Sequence, residues 1–138
     1  MNDPDKLIEK LNMKPHPEGG YFSESFRDKD NKISLIYYLL KKNQCSHWHR
    51  LKNNEILHFY QGDPLYVYIS KDSKTSITKI LGKNIYSGQH IHLIVKARSW
   101  FSMETKGEFS LIGCTVAPAF DYSDFELAPP KWMPTKKK

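Results

Sequence analysis

The sequence has little of what would place this protein outside a reducing compartment or in a membrane. Its 138 residues include only two cysteines, Cys45 and Cys114, which lie far apart and form no Cys-x-x-Cys pair. That argues against a disulfide scaffold and fits a reducing compartment. No apolar run follows basic residues at the N-terminus, and the longest apolar stretch spans residues 35–40, whereas a membrane helix needs roughly 18–20 residues. We therefore expect a soluble, cytoplasmic protein with no membrane partner.

Nucleic-acid modules, solenoid repeats and interdomain linkers are missing as well. The formal net charge of +6 raises the question of nucleic acid, but half of that excess comes from Lys136, Lys137 and Lys138, which we assign to a solvated tail. Because no recognised nucleic-acid module is present, we predict no nucleic-acid partner. The remaining positive charge favours an anionic small ligand. The predicted organisation is one domain over residues 1–128 and a Pro/Lys-rich C-terminal tail over residues 129–138.

What the sequence does contain is a short helix followed by many strands. Asp3 can cap a helix whose first position is Pro4, and an apolar stripe follows. From residue 21 onward, aromatic and β-branched runs recur between turn clusters roughly every 8–12 residues, which is typical of an all-β sandwich or barrel. The nine predicted strands are Tyr21–Arg27, Ile33–Leu40, Cys45–Arg50, Glu55–Tyr60, Leu65–Ser70, Thr75–Leu81, Gln89–Val95, Trp100–Glu104 and Phe109–Val116.

The stretch from Cys45 to Glu55 concentrates the candidate chemistry. Successive side chains of a strand point to opposite faces and the rise is about 3.3 Å per residue, so His47 and His49 are predicted to share one face, about 7 Å apart. A turn over residues 51–54 leads to a returning strand that begins at Glu55 and could bring its carboxylate beside both imidazoles. This is the geometry of a ligand site or of acid–base catalysis.

Further candidates come from the loop and strand before this stretch and from later strands. The glycine pair at residues 19–20 permits a close approach of the backbone, and such loops commonly border a ligand site. Tyr21 is the candidate catalytic acid. The candidate ligand-binding residues are Glu18, Glu24, Tyr37, Arg50 and His92. Arg50 is equally able to pair with a carboxylate at a dimer interface, and His16 and His58 are assigned structural roles.

Several separated motifs, taken in order, resemble those of one family. The pattern His-x-His, then Glu55, then six residues and Gly62 resembles the first motif of the cupin superfamily. A family of small single-domain cupins of largely unassigned function is similar at HPEGGYF (16–22), HR (49–50), GDPL (62–65), VxAxxW (95–100) and GCTVAPxF (113–120).

This resemblance implies an all-β fold, the antiparallel double-stranded β-helix of the cupin jelly-roll barrel with a short N-terminal helix, and a homodimer. It implies a ligand pocket in the barrel mouth but fixes no substrate. Phe101 falls where metal-binding cupins place their third histidine. We therefore predict no cofactor, while a divalent metal held by His47, His49 and Glu55 stays open.

Three classes of function are open at this point. The first is a metal-independent isomerase or epimerase acting on a polar, sugar-like metabolite, with His49 as general base, Glu55 as its orienting partner and Tyr21 as acid. The second is a cupin that binds a small molecule without catalysis. The third is a metal-dependent oxygenase with His47, His49 and Glu55 as its ligand set. The residues favour them in this order and do not decide whether the protein is an enzyme.

Overall fold

Two antiparallel β-sheets pack face to face in the computed structural model, which describes residues 3–135. The elements in chain order are α1 Pro4–Lys10, β1 Lys14–Pro15, β2 Tyr21–Arg27, β3 Ser34–Lys41, β4 Cys45–Leu51, β5 Glu55–Gly62, β6 Leu65–Ser70, β7 Ile77–Leu81, β8 His92–Val95, β9 Trp100–Thr105, β10 Phe109–Val116 and β11 Phe125–Leu127. One sheet has the order β1-β2-β3-β10-β5-β8 and the other β11-β4-β9-β6-β7. The predicted all-β jelly-roll barrel with a short N-terminal helix is confirmed.

The strand boundaries depart from the predicted ones where local hydrogen bonds compete with the ladder. Thr75 stays outside β7 because its backbone N–H donates to the Asp72 carboxylate at 2.9 Å. The strand predicted from Gln89 begins only at His92, because the backbone of His90 bonds to Ile80 and Gly82 beside β7 instead. The two- and three-residue strands β1 and β11 were not predicted, because they are too short to show an alternating pattern.

The helix α1 covers the outer face of the six-stranded sheet. The Asp3 carboxylate accepts a hydrogen bond from the Asp5 N–H at 2.9 Å and so caps the first turn, as predicted. The apolar side of the helix packs against a second hydrophobic cluster outside the barrel, which includes Leu39 and Leu111. Tyr21 and Tyr37, which point outward from β2 and β3, are therefore partly buried under this helix and not in the barrel.

Two β-bulges set which side chains face the barrel interior. In β2, Glu24 pairs with Ile36 but Phe26 pairs with Leu35, so Ser25 is an extra residue. In β4, the pairing with β9 shifts between Ser46 and His49. An extra residue reverses the alternation beyond it.

The described part of the predicted tail, residues 129–135, runs along the outside of the five-stranded sheet. The Trp132 ring lies 4.7 Å from the Trp100 ring and 6.0 Å from the Trp48 ring, measured between centroids. Lys136 to Lys138, which were assigned to a solvated tail on the basis of the sequence, lie outside the described residues. Within residues 3–135, no helix is long and apolar enough to cross a membrane.

The homodimer stays a prediction. Light scattering of the purified protein at micromolar concentration should give the mass of two chains, because small single-domain cupins of this kind are expected to pair. The mass of a single chain would contradict it.

Candidate functional site

The space between the two sheets contains a cavity of about 360 Å³. Its volume is in the range of small-molecule sites, which run from about 300 to 1,000 Å³. Ionisable side chains line its interior: His16, Glu18, His49 and Glu55. Aromatic and charged side chains of β2 and of residues 120–125 form its rim.

The loop before β2 places Glu18 in the cavity. Gly19 has a φ of 114°, and a Cβ built on it would lie 2.1 Å from the Cys45 carbonyl oxygen, so only glycine lets the loop lie this close to β4. The contact is stabilised by a hydrogen bond of 2.8 Å from the His47 N–H to the Glu18 carbonyl oxygen. As a result the Glu18 side chain is buried at the start of β4.

His49 and Glu18 form a close pair deep in the cavity. The Nδ1 atom of His49 lies 2.7 Å from the His47 carbonyl oxygen, which can only accept, so Nδ1 carries a proton. The other ring nitrogen, Nε2, lies 3.3 Å from Glu18 Oε1. The second Glu18 oxygen accepts a 2.6 Å hydrogen bond from Ser46 Oγ. The ring is thereby fixed in one orientation, with Nε2 in the cavity beside the Glu18 carboxyl group.

His16 is a neutral neighbour of this pair. Its Nδ1 accepts a hydrogen bond from the Glu18 backbone N–H at 3.1 Å, so Nδ1 has no proton to offer the Glu18 carboxylate 3.6 Å away. Burial lowers the pKa of His16, and this outweighs the opposing effect of Glu18. His16 was predicted to be structural and was missed as a lining residue, because its proline-bounded loop shows no periodicity.

Glu55 faces the same cavity but in a different environment. It is 8% exposed, and its carboxyl group is hydrogen-bonded to the Cys114 thiol. The Cys114 thiol is its neighbour in the opposite strand. Burial is the larger cause and repulsion from Glu18 the smaller one, and together they raise the pKa of Glu55 to about 8. At neutral pH the Glu55 carboxyl group therefore keeps its proton.

Glu55→Gln should make stability less dependent on pH. The pKa of Glu55 is about 8 when folded and 4.5 in its ordinary state, so the native protein keeps a proton that the unfolded chain has released. Stability contributed by this proton is complete below about pH 4.5 and is lost as the pH rises through about 8, at roughly 1.4 kcal/mol per unit of pKa difference. Urea unfolding near pH 6 and pH 9 measures the loss.

The glutamine variant should lose less stability than the wild type over this range, by a few kcal/mol. Glu9→Gln is the matched control, because Glu9 is an exposed carboxyl group on α1. Equal pH dependence in wild type and Glu55→Gln would show that Glu55 titrates normally.

The bulge in β4 overturns the predicted arrangement of His47, His49 and Glu55. Ser46 and His49 both face inward, opposite Met103 and Phe101, whereas His47 Nε2 lies outside, 2.9 Å from the Pro129 carbonyl oxygen. The prediction that His47 and His49 share a face is therefore wrong. Glu55 makes no hydrogen bond or ion pair with His49, and Glu18 takes the orienting role instead.

The predicted catalytic Tyr21 and ligand-binding Tyr37 do not reach the cavity. Strand alternation puts Phe22 and Tyr38 inside, while Tyr21 and Tyr37 pack under α1. The Tyr38 hydroxyl donates to the Gly19 carbonyl, and burial raises its pKa well above the usual range. Tyr38 thus supports the Glu18 loop. Its neighbour Tyr37 was chosen from the sequence because two adjacent tyrosines give no sign of which one faces inward.

Arg50 and His92 are also outside. The Arg50 Nε donates to Glu126 Oε1 at 2.8 Å, and its guanidinium lies 4.4 Å from the Trp100 ring centroid on the outer face of the sheet. His92 is exposed opposite His58, because Leu93 and Val95 are the side chains of β8 that face the core. Arg50 thus pairs with a carboxylate of its own chain.

Glu24, by contrast, lines the cavity, and it is joined there by Arg27. Glu24 is opposite Ile36 and shares the inward face of Phe22, and the bulge after Glu24 turns Arg27, opposite Ser34, to the same face. Arg27 donates to both Glu24 oxygens, at 3.1 and 2.9 Å, and to the Phe120 carbonyl at 2.9 Å. These bonds tie the rim segment to β2.

A comparison of sequences matches residues 5–128 to a family described as Cupin superfamily (DUF985). The crystal structure of protein SO0799 from Shewanella oneidensis is 32% identical, with a TM-score of 0.88 over 93% of this chain and 85% of that one. A hypothetical protein from Leishmania major is 27% identical, with a TM-score of 0.85 over 95% of this chain and 90% of that one. No curated protein matched.

A more distant structure shares the fold alone. A mutant of Bacillus subtilis oxalate decarboxylase OxdC is 14% identical, with a TM-score of 0.67 over 87% of this chain and 31% of that one. Oxalate decarboxylase is described with Mn(II) centres, so the fold can hold a metal. The ligand set predicted here does not fit one, because His47 lies outside the barrel, and residues 3–135 contain no other group of three or more such side chains placed to hold an ion.

Proposed function

The chain belongs to the DUF985 family of the cupin superfamily, and from that premise we propose that it is a metal-independent isomerase or epimerase that moves a proton on a small carbonyl-containing metabolite. One observation carries the proposal. The same cavity holds the His49 imidazole, with Nε2 3.3 Å from Glu18, and the Glu55 carboxyl group, which burial keeps protonated at neutral pH. Two titratable groups separated in this way are the usual means by which a site runs acid and base chemistry together.

His49 is the base of this proposal. Its Nδ1 proton is fixed by the His47 carbonyl, so Nε2 is the atom that takes a proton from a carbon next to a carbonyl group. The imidazolium that forms is stabilised by the Glu18 carboxylate 3.3 Å away. Ser46, which donates to Glu18, keeps that carboxylate in place.

Glu55 is the acid. Its protonated carboxyl group donates a proton to the intermediate, either at the carbonyl oxygen or at carbon, while His49 holds the proton that was removed. After one transfer His49 is protonated and Glu55 is ionised, and exchange with water restores both. A general acid and a general base placed in this way each contribute about 10²–10⁴ in rate.

Hydrogen exchange tests the proposal on many candidate substrates at once. The protein is incubated in D₂O with pools of small carbonyl-containing metabolites, and proton NMR follows the loss of carbon-bound hydrogen signals. We expect at least one compound to exchange faster with the protein than without it, and at the same rate with the outer-surface control His92→Gln. If every compound exchanges only at its protein-free rate, including compounds that bind, the protein is a binding cupin and the proposal fails.

We also predict that exchange is independent of metal. The purified protein should carry no stoichiometric iron, nickel, manganese or zinc by elemental analysis, and its activity should survive a chelator, because the proposed steps use only His49, Glu18 and Glu55. About one metal ion per chain, together with loss of activity on chelation, would favour the oxygenase class instead.

A further inference from the structure

The charges that line the cavity do not suit an anion. The Glu24 carboxylate binds Arg27, so these two charges largely cancel. The Glu18 carboxylate, by contrast, faces His49, which is neutral as the proposed base. Asp121 adds a further carboxylate at the rim, where its side chain accepts the Ser123 N–H. Among the described lining residues no lysine appears. The positive net charge, from which we expected an anionic ligand, therefore lies elsewhere on the protein.

The lining between the His49–Glu18 pair and the rim is apolar. It is formed by side chains from both sheets: Phe22, Ile36, Leu51, Met103 and Val116. A sugar exposes a hydroxyl group at nearly every carbon, and each one buried here without a partner costs free energy. The other polar side chains of the lining include Ser34 and Tyr38, which already hydrogen-bond within the protein, so few free partners remain and a sugar-like ligand fits the cavity poorly.

The rim itself is aromatic. The Phe120 and Phe125 ring centroids are 5.8 Å apart, and Phe125 lies 5.7 Å from the His49 ring. Tyr122 adds a third ring, 4.8 Å from Phe120. Edge-on and tilted contacts of this kind favour another ring over a chain of hydroxyl groups. Phe125 thus links the apolar rim directly to the proposed base.

We propose that the substrate is an uncharged ketone or aldehyde with an apolar, ring-bearing body, whose carbonyl end reaches His49 and Glu55 while its ring contacts Phe125 at the rim. This inference rests on the proposed function and names its substrate class. The apolar body occupies the apolar middle of the cavity, between the ring at Phe125 and the carbonyl group, which is the single polar end. An anion at the same place meets the Glu18 carboxylate and Asp121.

Three probe compounds distinguish the effect of ligand charge on binding from the effect of an apolar ring. Phenylacetone is the uncharged ring-bearing ketone, phenylpyruvate has the same skeleton with a carboxylate in place of the methyl group, and dihydroxyacetone keeps the carbonyl group without the ring. Calorimetry measures binding, and proton NMR in D₂O separately measures exchange of the hydrogens next to the carbonyl. We expect phenylacetone to bind at least ten times more tightly than either other probe, a difference of about 1.4 kcal/mol.

Two variants test whether Phe125 is responsible for the preference for phenylacetone. Phe125→Leu should weaken phenylacetone binding several-fold and leave dihydroxyacetone unchanged, whereas the matched Phe26→Leu on the outer surface should change neither. Tighter binding of phenylpyruvate or dihydroxyacetone, or no binding of phenylacetone at about 10 mM, overturns the inference. If phenylacetone binds selectively but its hydrogens do not exchange, the ligand class is correct and the proposed reaction is wrong. The failure of the inference can therefore be told from the failure of the proposed function.

Discussion

Replacing His49 by glutamine is expected to reduce protein-catalysed hydrogen exchange on the substrate by about 10²–10⁴-fold, the usual contribution of a positioned general base. Glutamine keeps much of the volume and can still hydrogen-bond to Glu18, but it cannot take up a proton at neutral pH. Exchange in D₂O is followed by proton NMR at saturating substrate, so that a change in affinity does not alter the measured rate.

The control for this variant is His92→Gln, the same substitution on the exposed face of β8. Thermal unfolding of both variants establishes that the fold is intact. If His49→Gln is folded and retains the wild-type exchange rate, His49 is not the base, and the proposed mechanism is wrong.

Gly19→Ala is expected to cost about 3 kcal/mol or more of the free energy of unfolding and to abolish exchange. The added Cβ would lie 2.1 Å from the Cys45 carbonyl oxygen, at a φ of 114° that alanine adopts only with strain. The loop must then move away from β4, which breaks the hydrogen bond between His47 N–H and the Glu18 carbonyl. Glu18 moves with it and no longer faces His49.

A matched glycine separates the steric clash from backbone strain. Gly88 also has a positive φ, of 87°, but a Cβ there would have nothing within 4 Å, so Gly88→Ala should cost only about 1 kcal/mol and leave exchange intact. Urea unfolding measures both. Equal losses in the two variants would contradict a special role for the contact between Gly19 and β4.

The strands were predictable because their cause is local. Alternation and turn residues give β2, β6 and β10 at the bounds that the structure shows. The places of Glu18, Glu24, His49 and Glu55 in the cavity also follow from the sequence, since the first motif and the glycine-bounded loop mark them before any fold is known.

Contacts between distant segments were not predictable. The bulge in β4 depends on the pairing with β9, and it alone turns His47 away from His49. The pairing of His49 with Glu18 rather than Glu55 depends on how the loop before β2 lies across β4, which no periodicity reveals. The closeness of the aromatic rim to His49 is a property of the β11–β4 pairing.

The most direct test of the account is the titration of Glu55 itself. Carbon NMR of protein labelled with ¹³C at the glutamate carboxyl groups follows each group, and Glu55→Gln identifies the Glu55 resonance by its loss. The account predicts that this resonance titrates with a pKa of about 8, so that Glu55 is an acid at neutral pH beside the Glu18 carboxylate. A midpoint near the ordinary value of 4.5 would leave the cavity without its acid and contradict the proposed function.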